Sequence, residues 1–220
     1  MVNQGGHAPS AIIWPTMLDH LVYAAPDLDQ AIDGIERHLG VRPAPGGKHA
    51  GGLTHNALLS LGAGSYLELI APVRRGALTA GLPFGLETVT EPRLVAWAVS
   101  VDDIEGRVEA AKTKGYDPGA IIASGRELPD GSSLKWRLAI NPQPAGNGLV
   151  PFLIQWLSEP HPSTTAPAGC QFVALRAEHP DPANIQAVLA ALEVEMEVVR
   201  GPASRLTATF DTPNGRVELS

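Results

Sequence analysis

The sequence predicts an α+β protein made of repeated β-α-β-β-β modules whose mixed sheet curls into a cup. Two observations carry this. Short apolar runs of strand length alternate with segments of helical period. The strand-and-cap pattern also recurs at a constant displacement: Leu18 matches Leu94, and Asp27-Leu28-Asp29 matches Asp103-Ile104-Glu105. A further copy starts near Gln171, so an additional C-terminal module of the same type follows the first two. A recurring supersecondary unit is a better guide to architecture than any single motif.

The first element is strand Leu18–Ala25. Asp27 then caps a helix, with Gln30 three residues on completing a capping box. Leu28, Ile32, Ile35 and Leu39 keep helical spacing, and Gly40 ends the helix. A Gly/Pro-rich stretch, Pro43–Gly52, precedes strands Thr54–Leu61 and Tyr66–Ala71. Residues 73–92 are apolar but broken by Gly and Pro, as a crossover segment or flap would be.

The pattern restarts with strand Leu94–Val101 and a helix from Asp103 in which Ile104, Val108 and Ala111 repeat the spacing before Gly115. Strands Ala120–Ser124, Leu134–Ile140 and Val150–Leu157 complete that copy. Ser158–Gly169 has a linker's composition. Strand Gln171–Ala177, helix Ala183–Leu192 and strands Val194–Val199, Arg205–Asp211 and Arg216–Leu219 follow. The expected organisation is one cup over 17–160, from modules 17–72 and 93–157, and a third module over 170–220.

Composition narrows the function. Net charge is −7 with scattered basic residues, which is no footprint for nucleic acid or an anionic membrane. No apolar run has the length of a membrane span, and the N-terminus lacks a signal-peptide pattern. Cys170 is the only cysteine, which suits a reducing compartment; the expectation is a cytoplasmic protein.

Strand alternation sorts the candidate site residues. His20, Val22 and Ala24 share one face, opposite Leu21 and Tyr23; Tyr66, Glu68 and Ile70 share another, opposite Leu67 and Leu69. Helices cover the uniformly apolar faces, so His20 and Glu68 face the cup. There they form either a metal site or a hydrogen-bonded pair, with Asp19 a further partner for His20. Thr54, Asn56 and Leu58 follow them by alternation. His55 is a candidate third metal ligand if alternation fails at the start of its strand. His49 in the Gly-rich stretch is expected to face solvent. Asn56, Trp136, Arg137, Gln155 and Trp156 are candidate ligand contacts. Ala96 and Ala174 occupy the His20 position in the other copies, and Gln155 and Glu218 the Glu68 position, so only the first copy keeps the His/Glu combination.

With a His in the first strand and a Glu in the last, these units resemble the vicinal oxygen chelate superfamily of glyoxalase I, extradiol dioxygenases and the fosfomycin- and bleomycin-type resistance proteins. Leu18-Asp-His-Leu-Val-Tyr, Gly52-Leu-Thr-His-Asn-Ala and Tyr66-Leu-Glu-Leu-Ile-Ala-Pro, with Pro151-Phe-Leu-Ile-Gln-Trp156 and Gly169-Cys-Gln-Phe, resemble more narrowly its glyoxalase-like domain proteins. The resemblance implies a divalent metal (Zn, Mn, Fe or Ni) at the base of the cup, with His20 and Glu68 as ligands. It also implies lyase, isomerase or dioxygenase chemistry on a small carbonyl- or enol-containing molecule, with Glu68 as base if burial raises its pKa. Ala96 supplies no ligand and Gln155 only a weak one. A homodimer that pairs two cups and lends a ligand is compatible with the superfamily. Two other readings stand beside this one: a metal-free protein that sequesters a small molecule, and a cup filled by its own side chains.

Overall fold

In the computed structural model, which describes residues 18–62, 64–74, 81–128, 131, 133–141 and 146–220, eight strands close into one barrel. The first module comprises β1 (Leu18–Ala24), α1 (Leu28–Leu39), β2 (Ala44–His49), β3 (Thr54–Ser60) and β4 (Tyr66–Pro72). The second comprises β5 (Arg93–Ser100), α2 (Ile104–Thr113), β6 (Ile121–Glu127), β7 (Ser133–Ala139) and β8 (Phe152–Trp156). Around the barrel the order is β1-β4-β3-β2-β6-β7-β8-β5. In each module the first strand pairs parallel with the last, β1 with β4 and β5 with β8.

Two seams join the modules. One is the long antiparallel pairing of β1 with β5, from Leu18↔Val99 to Ala24↔Arg93. The other is short: β2 and β6 meet only at Lys48↔Glu127 and His49↔Arg126. β2 lies inside the Gly/Pro-rich stretch that sequence patterning leaves without a strand, because Ala44-Pro-Gly-Gly-Lys-His49 has no apolar alternation.

The caps follow the sequence. The Asp27 side chain accepts from the Gln30 backbone N–H at 2.8 Å, and Gly40 closes α1 at φ 80°, where a side chain would be strained. Asp103 caps α2 through the Gly106 N–H at 2.9 Å.

Two apolar clusters divide at the barrel wall. Outside it, Leu21, Leu59, Leu67, Leu69 and Trp97 pack against Ile32, Ile35 and Leu39 of α1, Ile104 and Val108 of α2, and the C-terminal unit. Inside it, Val22, Ala24, Ile70, Ala96, Ala98, Trp136, Phe152 and Ile154 form the lining. The crossover folds onto this lining through a short 3₁₀ segment, Pro83–Thr88, which brings Leu82, Leu86 and Val89 with it. Phe84, at φ 58°, sets its ring 5.7 Å from that of Phe152. These crossover side chains cover part of this end of the cup, beside an open cavity that Leu82, Phe84, Ala96 and Phe152 help to line.

The C-terminal unit keeps the expected element order: β9 (Gln171–His179), α4 (Pro182–Ala191), β10 (Glu197–Arg200), β11 (Arg205–Thr212) and β12 (Gly215–Leu219). Its sheet differs, running β10-β9-β11-β12, so its first strand pairs with the next one rather than with the last. It packs on the outer wall, where Phe172, Leu175 and Met196 meet Leu18 and Trp97. The Asn214 side-chain amide donates to the Arg37 carbonyl at 3.0 Å, and Arg107 donates to the Leu192 carbonyl at 3.0 Å. The segment read as a linker is tied down as well: it holds the short helix α3 (Pro162–Thr165), and the Pro167 carbonyl accepts from the Ser60 N–H at 2.9 Å.

Candidate functional site

The polar half of the cup begins with an irregularity in β1. Pairing with β5 shifts register between Leu18 and His20, a bulge at Asp19. Leu18 packs in the outer cluster, while Asp19 and His20 are both buried on the cup side, 1% and 3% exposed. A bulge re-aims side chains in this way. The Asp19 carboxylate meets His20 Nδ1 at 2.7 Å and accepts from Trp156 Nε1 at 2.8 Å and His161 Nε2 at 3.2 Å. Burial opposes its ionisation. The hydrogen bonds and charges of His161 and His20 outweigh that and hold the carboxyl far below its ordinary range.

An ionised carboxylate only accepts, so His20 carries a proton on Nδ1 and, when neutral, presents the Nε2 lone pair to the cup. Opposite it, at 3.8 Å, lies Oε2 of Glu68. A proton on Nε2 or a cation in the gap would each satisfy the buried Glu68 oxygen. The His20 ring is fixed by stacking on Tyr66 (centroids 4.7 Å, planes 20° apart) and by the edge of Phe152 at 5.4 Å.

The other Glu68 oxygen is occupied. Asn56 Nδ2 donates to Oε1 at 2.6 Å, and His49 Nε2 reaches it at 3.2 Å, with Thr54 Oγ1 2.9 Å from His49 Nδ1. Burial pushes the Glu68 pKa up. The His49 hydrogen bond, the charges of His49 and His20, and the Asn56 amide outweigh it, and the carboxyl falls from 4.5 to about 2. The condition for a strong base at Glu68, a raised pKa, is not met; the environment makes it a permanent carboxylate.

Arg126 of β6 completes the network. It is 6% exposed, donates from Nη1 to Asn56 Oδ1 at 3.1 Å, and has no bonding partner at Nε. A buried donor left unpaired costs roughly 1–3 kcal/mol, more on a charged group. Gly46 makes room for it, since a Cβ there would collide with Arg126 Nη1 and Asn56 Oδ1.

Of the residues predicted from sequence, His20, Glu68, Asn56, Trp136 and Trp156 meet in the cup. The two indoles lie 5.3 Å apart, and the Trp156 ring is 5.2 Å from His161. His55 does not join them. Alternation holds from Thr54 onward, so His55 is on the outer face, where burial lowers its pKa against the raising charges of Asp29 and Asp27. Arg137 and Gln155 are also outside: Arg137 pairs with Glu105 of α2 and bonds Gln155, which donates to the Asp102 carbonyl. Each neighbours an inward tryptophan in its strand, so it must face the other way.

Sequence reasoning missed His49, Arg126 and His161 and gave Asp19 only a secondary role. The one available signal was the Gly46-Gly47 pair, which clears space for a neighbour.

The donor types suit a divalent ion, with imidazole nitrogen and carboxylate oxygen on one gap. The arrangement supplies an open pair, His20 Nε2 and Glu68 Oε2, with His49 hydrogen-bonded to the same carboxylate. Among the described residues no three His, Cys, Asp or Glu side chains are grouped so as to hold an ion.

A family model for the glyoxalase-like domain matches residues 18–193. The chain belongs to the glyoxalase-like domain family. Its match runs past the barrel through α4 of the C-terminal unit. No curated protein matches this glyoxalase-like chain. Among solved structures, a hypothetical protein from Staphylococcus aureus is similar over 91% of this chain and 83% of its own, at 14% identity and TM-score 0.60. A methylmalonyl-CoA epimerase from Mycobacterium tuberculosis is similar over 66% of this chain and 89% of its own, at 22% identity and TM-score 0.43. A hypothetical protein from Bacillus halodurans matches 65% of this chain and 94% of its own, at 16% identity and TM-score 0.42. The family match and the closed eight-stranded barrel agree on a cupped, glyoxalase-like α+β fold. No helix among its described residues is long and apolar enough to cross a membrane.

Proposed function

We propose that the cup binds a small carbonyl- or enol-containing molecule and acts on it as a lyase, isomerase or dioxygenase-type enzyme. His20 and Glu68 would hold a divalent metal, with His49 fixing the Glu68 carboxylate through its hydrogen bond. The observation that carries this reading is the Asp19-oriented His20 facing the permanent carboxylate of Glu68 across 3.8 Å. A histidine fixed by a carboxylate behind it is the usual support of a metal-bound imidazole. A bound divalent ion would polarise the carbonyl or enol oxygen of the ligand. The chain's own residues do the rest. Asp19 sets the tautomer of His20, Tyr66 and Phe152 fix its ring, Asn56 and His49 orient Glu68, and Trp136 and Trp156 give the ligand an apolar wall.

A second reading has its own support. Glu68 Oε1 is already saturated by Asn56 and His49, which suits a metal-free protein that sequesters a small molecule. Metal analysis of protein purified without chelator separates the two. The enzyme reading expects a stoichiometric divalent ion that is lost in both His20→Ala and Glu68→Gln. Metal-free wild-type protein, or metal retained by both variants, overturns it.

A further inference from the structure

We propose that Arg126 is the anion-recognition residue of the cup, and that the molecule bound there carries a carboxylate as well as its carbonyl or enol group. This rests on the reading of the cup as a small-carbonyl site and narrows its substrate class to oxo acids and their enols.

A guanidinium that is 6% exposed is normally balanced by a carboxylate. Arg126 has none within 4.0 Å among the described residues; its bonded partner is the neutral Asn56 amide. The carboxylate nearest in the network, Glu68, lies beyond that amide and receives its hydrogen bonds from Asn56 and His49 instead. The Nε–H of Arg126 is therefore a charged, buried donor with nothing to bond.

Arg137 shows what an ordinary arginine of this protein does. Its Nε is also unbonded, but its terminal nitrogens are spent on the Glu105 carboxylate and on Gln155 at the outer face. Arg126 has no such partner, and the chain has shaped β2 around it. A Cβ at Gly46 would strike its Nη1.

The Nε side of a guanidinium is an edge that takes a planar carboxylate in two parallel hydrogen bonds, a geometry lysine does not reproduce. From that edge the network leads through Asn56 to Glu68 and His20. A carboxylate held by Arg126 thus ties the ligand to the same network that orients the His20–Glu68 pair, and supplies the counter-charge that Arg126 lacks.

The test compares two probes of equal size, 2-oxobutanoate and the neutral 2-oxobutanamide, titrated into wild-type protein, Arg126→Lys and Arg126→Gln by calorimetry. Arginine Nε–H signals are followed by ¹H–¹⁵N NMR. Wild type is expected to bind the acid at least tenfold more tightly than the amide, with one Nε–H signal moving only on addition of the acid. That signal is absent from both variants, which lose the tenfold preference. Equal binding of acid and amide by wild type, or a preference that survives in both variants, overturns the role of Arg126 and leaves the small-carbonyl reading standing. Failure of wild type to bind either probe sinks that reading and this inference together. If neither variant folds, the wild-type preference and the moving Nε–H signal still decide.

Discussion

Glu68 gives the most direct physical test of the cup. Its carboxyl titrates near 2 in the folded chain against 4.5 when unpaired. A depression of that size contributes about 3 kcal/mol of stability at neutral pH. The sign follows from the direction: a lowered pKa stabilises the fold above the unfolded value, and the contribution fades as pH falls from 4.5 towards 2. Glu68→Gln keeps the shape and removes the titration. Urea unfolding of both proteins, followed by tryptophan fluorescence between pH 7 and pH 3, is expected to show wild type losing about 2 kcal/mol relative to the variant over that range, nearly all of it below pH 5. Asp19 lowers stability in acid in the same sense, but it does so in both proteins and cancels in the comparison. Parallel pH profiles for the two proteins would refute the claim that His49, Asn56 and His20 hold this carboxylate in its charged form.

Three further outcomes follow from the packing. Gly46→Ala drives a methyl group into Arg126 and Asn56 and is expected to cost about 1–3 kcal/mol in chemical denaturation, although the backbone there accommodates alanine. Leu86→Ala strips the crossover of a fully packed contact with the cup lining; a loss of about 2–4 kcal/mol is expected, with faster hydrogen exchange in Leu82–Val89. Trp156→Phe removes the indole donor to Asp19 and leaves a buried carboxylate oxygen short of a partner. It should destabilise by roughly 1–3 kcal/mol, and unchanged stability would mean that His161 alone satisfies that oxygen.

The sequence made the barrel legible where physical period and burial agree. β1, β3 and β4 alternate cleanly enough in sequence to place His20, Asn56 and Glu68 on one face. The same rule contained its own correction. Trp136 and Arg137 are consecutive in β7, and Gln155 and Trp156 in β8, so at most one of each pair faces the cup. What alternation cannot show is a place where it breaks. The bulge at Asp19 turns a residue that would point outward into the carboxylate that orients His20. β2 is hidden for a different reason: its pairing is backbone hydrogen bonding along a Pro-, Gly- and Lys-containing segment with almost no apolar pattern, so sequence alone places His49 in a loop. Arg126 and His161 lie in the second module and beyond it, and only closure of the barrel brings them to the residues of the first.

The short seam between β2 and β6 has a consequence for how this site comes into being. Its two register pairs include His49 opposite Arg126, so the strand contact that shuts the barrel is made by the residues that hold the far side of Glu68 and Asn56. Parting these strands would cost few backbone hydrogen bonds, yet it would take Arg126 away from the Asn56 oxygen it serves. His49, Asn56 and Glu68 stay together on β2, β3 and β4, and His20 and Asp19 stay on the β1–β5 wall. Barrel closure is therefore the step that delivers Arg126 of the second module to the polar network of the first.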